Sequence, residues 1–316
     1  EVTGSVSQIK GSSIQGLITP SFESQLAGRA SGVQVTTPTG IVGAAPRVRI
    51  RGIASINSGT QPLYVVDGMP MYSGDIGGYA DTNALGDINP NDIKSFDILK
   101  DGAALAIYGS RGANGVILIS TKKGKKGAMK VNYNVTSGFA SPYKKFDLLK
   151  TADFLTISNE KRTNAGQTAW AAGSNFDTDW QKAVLNSSAY QMDHNMSFSG
   201  GNDQTKYYMS MGYSTQEGIA VSNEMARYSI KSSLEHQINK WLTIGGNIGI
   251  TRTEYNGLNT GRNSLSGNIF NAIRQLPNTS IFDSSNPTGY NINLSTGNVG
   301  QGTNLQPVGD NISNIG

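Results

Sequence analysis

Gly109-Ser110-Arg111-Gly112-Ala113-Asn114-Gly115 has the composition of a phosphate cradle. A glycine-rich turn binds phosphate through its backbone N–H groups when it follows a strand, opens a helix and ends in Gly-Lys-Ser/Thr. Here the order is reversed: Ala103–Tyr108 reads as a helix before the turn, Val116–Thr121 as an apolar strand after it, and no such lysine closes the motif. The two histidines, His194 and His236, lack cysteines or carboxylates at ligand spacing, so no zinc site is expected. No serine sits in a nucleophile elbow. The chain reads as neither an enzyme nor a cofactor protein. Arg47, Arg49 and Arg51 are different. Their alternation puts three guanidinium groups on one face of a strand, where they need anions or water.

The elements that would carry these groups follow two grammars. Up to residue 127, short helices and strands mix. Phe22–Gly28 reads as a short helix closed by glycine, and Val33–Val35 and Arg47–Arg51 as strands. Leu63–Met71 reads as a hairpin with Asp67-Gly68 at its tip, the dipeptide that tolerates positive φ at both turn positions. Asn89-Pro90-Asn91-Asp92 caps a helical turn before the strands Ser95–Leu99 and Val116–Thr121. The expectation is a small α+β globule around a mixed sheet.

After Gly127 the period becomes two. Val131, Tyr133 and Val135 share a face, as do His194, Met196 and Phe198; Tyr207, Met209, Met211 and Tyr213; Tyr228, Ile230, Leu234 and Ile238; and Leu242, Ile244, Ile248 and Ile250. The other face is polar. A soluble sandwich alternates in the same way, but the connections do not fit one. A long loop over 141–190, a short link at Gly200–Gln204, a longer one at Thr215–Met225, two residues at Asn239-Lys240 and a polar stretch after residue 253 alternate as an outer-membrane barrel requires. Tyr190, His194, His236 and Trp241 fall where its rims would be. Five strands cannot close a barrel in lipid, so the expected whole is a longer, 22-stranded plugged barrel.

Bulk composition agrees. The 316 residues are 37% hydrophobic and only 15% charged, with 39 glycines, which favours strands and turns. A net charge of +4 without a basic face argues against nucleic-acid binding. The absence of cysteine suits an envelope compartment without requiring one. No apolar run reaches the length of a membrane-spanning helix, which leaves a barrel open. Glu1-Val2-Thr3-Gly4 does not read as a signal peptide.

The segment Leu99–Gly124, containing Ala103–Tyr108, Gly109-Ser110-Arg111 and Asn114-Gly115-Val116-Ile117-Leu118-Ile119, resembles the signature that ends the plug domain of SusC/RagA-type TonB-dependent transporters. Gly102 and Gly112 stand where the family has alanine. Gln25–Val35, Val48–Gly52, Pro62–Pro70 and Ile88–Ile93 match in order and spacing, as do Asp179-Trp180-Gln181, Ser199-Gly200-Gly201, Gln216-Glu217-Gly218 and Arg227-Tyr228-Ser229. The resemblance covers residues 1 to 252.

It implies a plug domain over 1–127, then the first transmembrane strands of the barrel over 128–316, with external loops at 141–190 and after 253, in the cell outer membrane. It further implies import of an oligomeric nutrient, a glycan or peptide, energised by TonB and its inner-membrane motor, with a SusD-like surface lipoprotein as partner and a dimer of such pairs as an expected assembly. The TonB-contacting segment is expected before Glu1. Arg49 and Arg51 match plug arginines expected to meet carboxylates on the inner barrel wall. Tyr72, Asp75 and Tyr79, with the Asp67-Gly68 tip, are candidates for plug loops facing substrate. The alternatives are a structural envelope subunit without transport, a siderophore or corrinoid receptor, and a soluble β-rich adhesin or enzyme module.

Overall fold

The computed structural model describes residues 6–14, 16, 18–19, 21–37, 42–52, 59–73, 83–100, 107–169, 176–257 and 268–294. The chain forms two compact units: Glu1–Phe139 with Ala189–Gly218 and Asn223–Gly257, and Ala140–Ser188 with Ile219–Ser222 and Leu258–Gly316.

The first unit opens with seven short strands among its described residues: β1 (Val6–Lys10), β2 (Val33–Thr36), β3 (Arg47–Ile50), β4 (Leu63–Val66), β5 (Met69–Met71), β6 (Ile93–Leu99) and β7 (Val116–Thr121). Five of them form a mixed sheet in the order β1-β6-β7-β4-β5, with β4 parallel to β7, and β2 pairs with β3 separately. Central β6 and β7 supply Phe96, Ile98, Ile117 and Ile119 to a core completed by Phe22, Leu26, Tyr64 and Leu85, each almost fully buried. Phe22 stacks on Phe96 at 5.6 Å and meets Tyr64 edge-on at 6.0 Å. Burying each such side chain stabilises the fold by about 1.5–3 kcal/mol. Phe22–Leu26 is a 3-10 turn. The Asp67-Gly68 tip takes φ of 47° and 89°, as its hairpin needs.

Side-chain hydrogen bonds place that tip within the sheet. Asp67 accepts hydrogen bonds from Thr121 N at 3.0 Å and Thr121 Oγ1 at 2.5 Å. It therefore lies at the end of β7, beside the lysine-rich link into the next sheet, and not at the opposite, Tyr72 end of the hairpin. Edge strand β1 was not foreseen, because Val6-Ser7-Gln8-Ile9-Lys10 carries only two apolar residues.

The same unit continues as β8 (Gly127–Ala140), β9 (Ala189–Gly201), β10 (Thr205–Glu217), β11 (Glu224–Gln237) and β12 (Thr243–Asn256), paired in sequence order. Each has 13 or 14 residues. At about 3.3 Å per residue and a tilt near 45°, that is about 30 Å of height, the thickness of a bilayer's hydrocarbon core. All five strands expected from the alternation are present. Their ends run further than the pattern showed: β10 reaches Glu217 and β11 starts at Glu224, because Thr215, Gln216 and Glu217 are polar on both faces.

The two faces are inverted relative to a soluble protein. Ile248 and Ile250 are 67% exposed, whereas Ser210 is 1% and Arg227 2% exposed. Register sets His194 opposite Tyr213 and Tyr213 opposite Tyr228, and with Tyr133 they form a ring row with neighbouring centroids 5.0–6.4 Å apart. His194 thus sits within the apolar face, six residues into its strand, whereas Tyr190 lies at a strand end and Trp241 in the β11–β12 turn. An apolar face this large belongs against lipid or protein, not water.

The second unit holds helices where a loop was expected: α1 (Thr151–Asn164), α2 (Trp180–Val184) and α3 (Asn268–Arg274). The sequence of α1, Thr-Ala-Asp-Phe-Leu-Thr-Ile-Ser-Asn-Glu-Lys-Arg-Thr-Asn, lacks an apolar stripe, so no helical period is visible in it. Asp179-Trp180-Gln181 divides three tasks. Asp179 caps α2 by accepting from Lys182 N at 2.9 Å, Trp180 is buried with Nε1 donating to Leu276 O at 3.0 Å, and Gln181 clamps both backbone groups of Phe146 at 2.8–2.9 Å. Among the described residues no helix is long and apolar enough to cross a membrane.

Candidate functional site

The polar face of β9–β12 is buried against one edge of the mixed-sheet globule, and the sequence shows why that edge is shaped for it. Two asparagines each open a 3-10 turn: Asn83 before Ala84–Asp87 and Asn89 before Pro90–Asp92. Each side-chain oxygen accepts from the backbone two residues on, Asn83 from Leu85 N at 3.0 Å and Asn89 from Asn91 N at 2.9 Å. This satisfies a turn donor that would otherwise be orphaned. It also leaves each amide nitrogen free to donate elsewhere. Asn89 gives its proton to Ser229 Oγ on β11 at 3.0 Å. A carboxylate cap could accept but not donate, and an aliphatic one could do neither.

The rest of the edge is read in the same polar terms. Asn91 donates to Asp193 Oδ1 of β9 at 2.8 Å, and Tyr208 of β10 donates its hydroxyl to Asp92 Oδ1 at 2.8 Å. Arg227 Nη1 of β11 donates to Gly86 O at 2.8 Å. From β12, Thr251 donates to Asp87 O at 2.9 Å and Thr253 to Asp87 Oδ1 at 2.7 Å. Arg227 is buried with the carboxylates of Asp193, Asp87 and Asp92 acting on it. Beside it a void of about 20 Å³, enough for one water, is lined by Gln25, Asn91, Thr136, Asp193 and Arg227. Gly212 of β10 makes room: a Cβ there would lie 2.4 Å from Asn89 Nδ2.

Lys122 ties the edge to the link that leaves the globule. Its N–H donates to Asp92 O at 2.8 Å, and burial lowers its ammonium pKa, partly offset by the Asp92 carboxylate. Lys126 then pairs with Asp203 at 2.5 Å in solvent.

An interface built from hydrogen bonds and few apolar contacts is separable. Each bond contributes about 0.5–1.5 kcal/mol net, those to charged groups more. Asp92 and Tyr208 provide a direct check. Asp92→Asn and Tyr208→Phe, each weakening protection of residues 84–92 against hydrogen exchange, are expected to show a coupling of about 1–2 kcal/mol in a double-mutant cycle. Additive effects would remove this pair from the contact.

The predicted site residues fall elsewhere. Arg49 lies on β3 opposite Gln34, half-buried, its Nε enclosed without a hydrogen-bond partner among the described residues. Arg51 follows β3 with φ of 58°, exposed, its N–H donating to Gly32 O at 2.8 Å. Tyr72 is exposed just past β5. Asp75 and Tyr79, and most of the expected Ala103–Tyr108 helix, lie outside the described residues. His236 contacts Thr205 Oγ1 at 2.7 Å and His194 the Tyr133 hydroxyl at 2.8 Å. Among the described residues no cluster of three His, Cys, Asp or Glu side chains able to hold a metal occurs. Sequence reasoning saw Asn89–Asp92 as a capped turn and missed that its side chains face a second sheet. The signal available was three polar side chains, Asn89, Asn91 and Asp92, around a single proline, more than a cap requires.

Comparison with known proteins agrees with this architecture. Residues 1–116 match the sequence profile of the TonB-dependent Receptor Plug Domain. TonB-dependent receptor SusC of Bacteroides thetaiotaomicron is 36% identical over 235 residues, 74% of this chain and 23% of SusC. TonB-dependent receptor P3 of Formosa agariphila is 34% identical over 298 residues, 93% of this chain and 28% of that receptor. The RagAB peptide importer in its 'closed-closed' state superposes with a TM-score of 0.74 at 28% identity, over 90% of this chain and 34% of that one. The chain thus spans about a quarter of the length of the curated relatives it matches. With its profile match, its relatives and its fold in agreement, the chain belongs to the SusC/RagA-type family of TonB-dependent receptors of the outer membrane, of which it carries the plug and the antiparallel strands that follow.

Proposed function

We propose that this chain is the gated part of an importer for an oligomeric nutrient, a glycan or a peptide, in which the plug is held in the lumen by the polar edge Gly86–Asp92 and is loosened by TonB-derived force. The observation that carries the reading is the chemistry of that edge. Hydrogen bonds exchange with water at little net cost, so a plug held by Arg227, Thr251, Thr253, Tyr208, Asp193 and Ser229 can leave and return, where an apolar contact of equal area would not.

In this reading the plug spans 1–127 and the barrel 128–316. Arg49 and Arg51 reach carboxylates on wall strands beyond these five, and Tyr72, Asp75 and Tyr79 belong to plug loops facing substrate. The partner in this reading is a SusD-like surface lipoprotein, a proposal supported by the likeness to SusC and to the RagAB peptide importer. The test is uptake of labelled oligosaccharides and oligopeptides by cells that carry or lack the gene, with TonB present or depleted. Gene-dependent, TonB-dependent uptake of one class is the expected result. Uptake unchanged by deletion of the gene would leave a structural subunit, and a requirement confined to iron-limited growth would leave a siderophore receptor.

A further inference from the structure

Behind the polar edge lies a carboxylate that the gate does not touch. Glu23, in the turn Phe22–Leu26, is 2% exposed, with Tyr64 beside it. It accepts a hydrogen bond from Asn83 Nδ2. Asn83 is the cap whose oxygen holds Leu85 N and whose carbonyl holds Gly86 N at 2.9 Å. The capped turn presents Gly86 O to Arg227, the backbone carbonyl of Asp87 to Thr251 and its carboxylate Oδ1 to Thr253. Two residues along the same turn, Gln25 lines the water-sized void next to Arg227 and Asp193. One short turn therefore backs the docking edge from two directions.

We propose that Glu23 is a positioning residue for the plug's docking edge: its carboxyl group fixes Asn83, and through Asn83 the orientation of the 84–87 turn that the wall grips. A buried carboxyl is expensive, and leucine would fill its place more favourably if packing were the only task. Its relevance to import rests on the reading under Proposed function; its effect on the edge does not.

The environment gives the proposal a signature in pH. The groups facing Glu23 are Ser21 on its own turn, Tyr64 from β4 and Asn83; all are uncharged at neutral pH, and none among the groups acting on it is a cation. Desolvation raises its pKa to about 7, against the pull of the hydrogen bond from Asn83 and of the neighbouring Ser21 and Tyr64 hydroxyls. An open edge that hydrates Glu23 returns it to the ordinary carboxylate range. The closed form therefore binds the extra proton, and closure is strongest below that range. It weakens as pH rises, until the pH passes the closed-state pKa.

The experiment is hydrogen exchange on the full-length transporter in outer-membrane vesicles, without substrate or TonB, corrected for intrinsic rates. Glu23→Leu is expected to speed exchange of Leu85–Ile88 at least tenfold at pH 6 and to leave β6 and β7 unchanged. Glu23→Gln, whose amide oxygen still accepts from Asn83, is expected to restore protection. Wild-type opening of this segment should rise at least tenfold between pH 5.5 and 8, and Glu23→Gln should abolish the rise. Unchanged protection in Glu23→Leu, an equal increase over the whole plug core, or a pH profile identical in Glu23→Gln would each overturn the proposal. Because nothing is transported in this assay, failure of import in wild-type cells would sink the importer reading and leave this result standing.

Discussion

Arg227→Met is expected to leave the barrel assembled and its plug loose. Arg227 is buried at the centre of the docking edge, donating to Gly86 O with Asp193, Asp87 and Asp92 around it. Methionine keeps most of the volume and removes the charge and all donors, so Gly86 O loses its partner and the carboxylates lose the cation that offsets their mutual repulsion. Breaking a buried charge pair from one side costs about 3–5 kcal/mol, which corresponds to openings of the edge about 150 to 5,000 times more frequent. Arg227→Lys, with a point charge in place of a planar fork, should lie between. Removing the neighbour as well, in Arg227→Met with Asp193→Asn, should recover part of the loss, because the penalty is chiefly that of a charge left unpaired. The measurements are hydrogen exchange over residues 84–92 and entry of a large hydrophilic antibiotic normally excluded by the plugged channel. Normal protection in the single variant would show that Arg227 does not hold the edge.

This contact was only half legible in the sequence, for a definite reason. Period two in Tyr207–Tyr213 and Tyr228–Leu234 reveals a two-faced strand, because lipid on one side and polar groups on the other impose the alternation residue by residue. The hairpin tip at Asp67-Gly68 was equally clear, since positive φ restricts the side chain locally. What holds the plug is not local. Asn89 meets Ser229 across 140 positions and Thr253 meets Asp87 across 166, and nothing in either segment alone names the other. The expected lock placed the cations Arg49 and Arg51 on the plug and the carboxylates on the wall. In the described contact the cation, Arg227, stands on the wall, and the plug brings Asp87 and Asp92. The α1 helix was hidden for a different reason: it buries almost no stripe, so no apolar period marks it.

Gly212→Leu is expected to wedge the plug away from its wall, and the graded form of the experiment separates this from a general effect of strand glycines. Gly212 lies on β10, opposite Ser229 of β11 and Asn195 of β9, on the face turned to the plug. A Cβ built there would fall 2.4 Å from Asn89 Nδ2 and 2.6 Å from Ser229 Oγ, the two atoms that bond to each other. Even alanine must therefore break that hydrogen bond or shift the Asn89 cap. Gly212→Ala should cost about 1–3 kcal/mol of edge stability, and leucine, which also needs space for three more carbons in a packed contact, more than that. Gly249 on β12, opposite Lys231, is the control: it shares the inward face, but a Cβ there meets nothing within 4 Å among the described residues. Gly249→Ala should be neutral, or stabilising by up to about 1 kcal/mol through reduced backbone freedom in the unfolded chain. Hydrogen exchange of residues 84–92 ranks the three variants, and antibiotic entry reports whether the wedge opens the channel. Equal behaviour of Gly212→Ala and Gly249→Ala would mean that the close approach of Asn89 to the wall does not hold the plug. If Gly212→Ala loosens the edge and Gly249→Ala does not, the absence of a single methyl group at position 212 is what lets the Asn89 cap seat against β10 and β11.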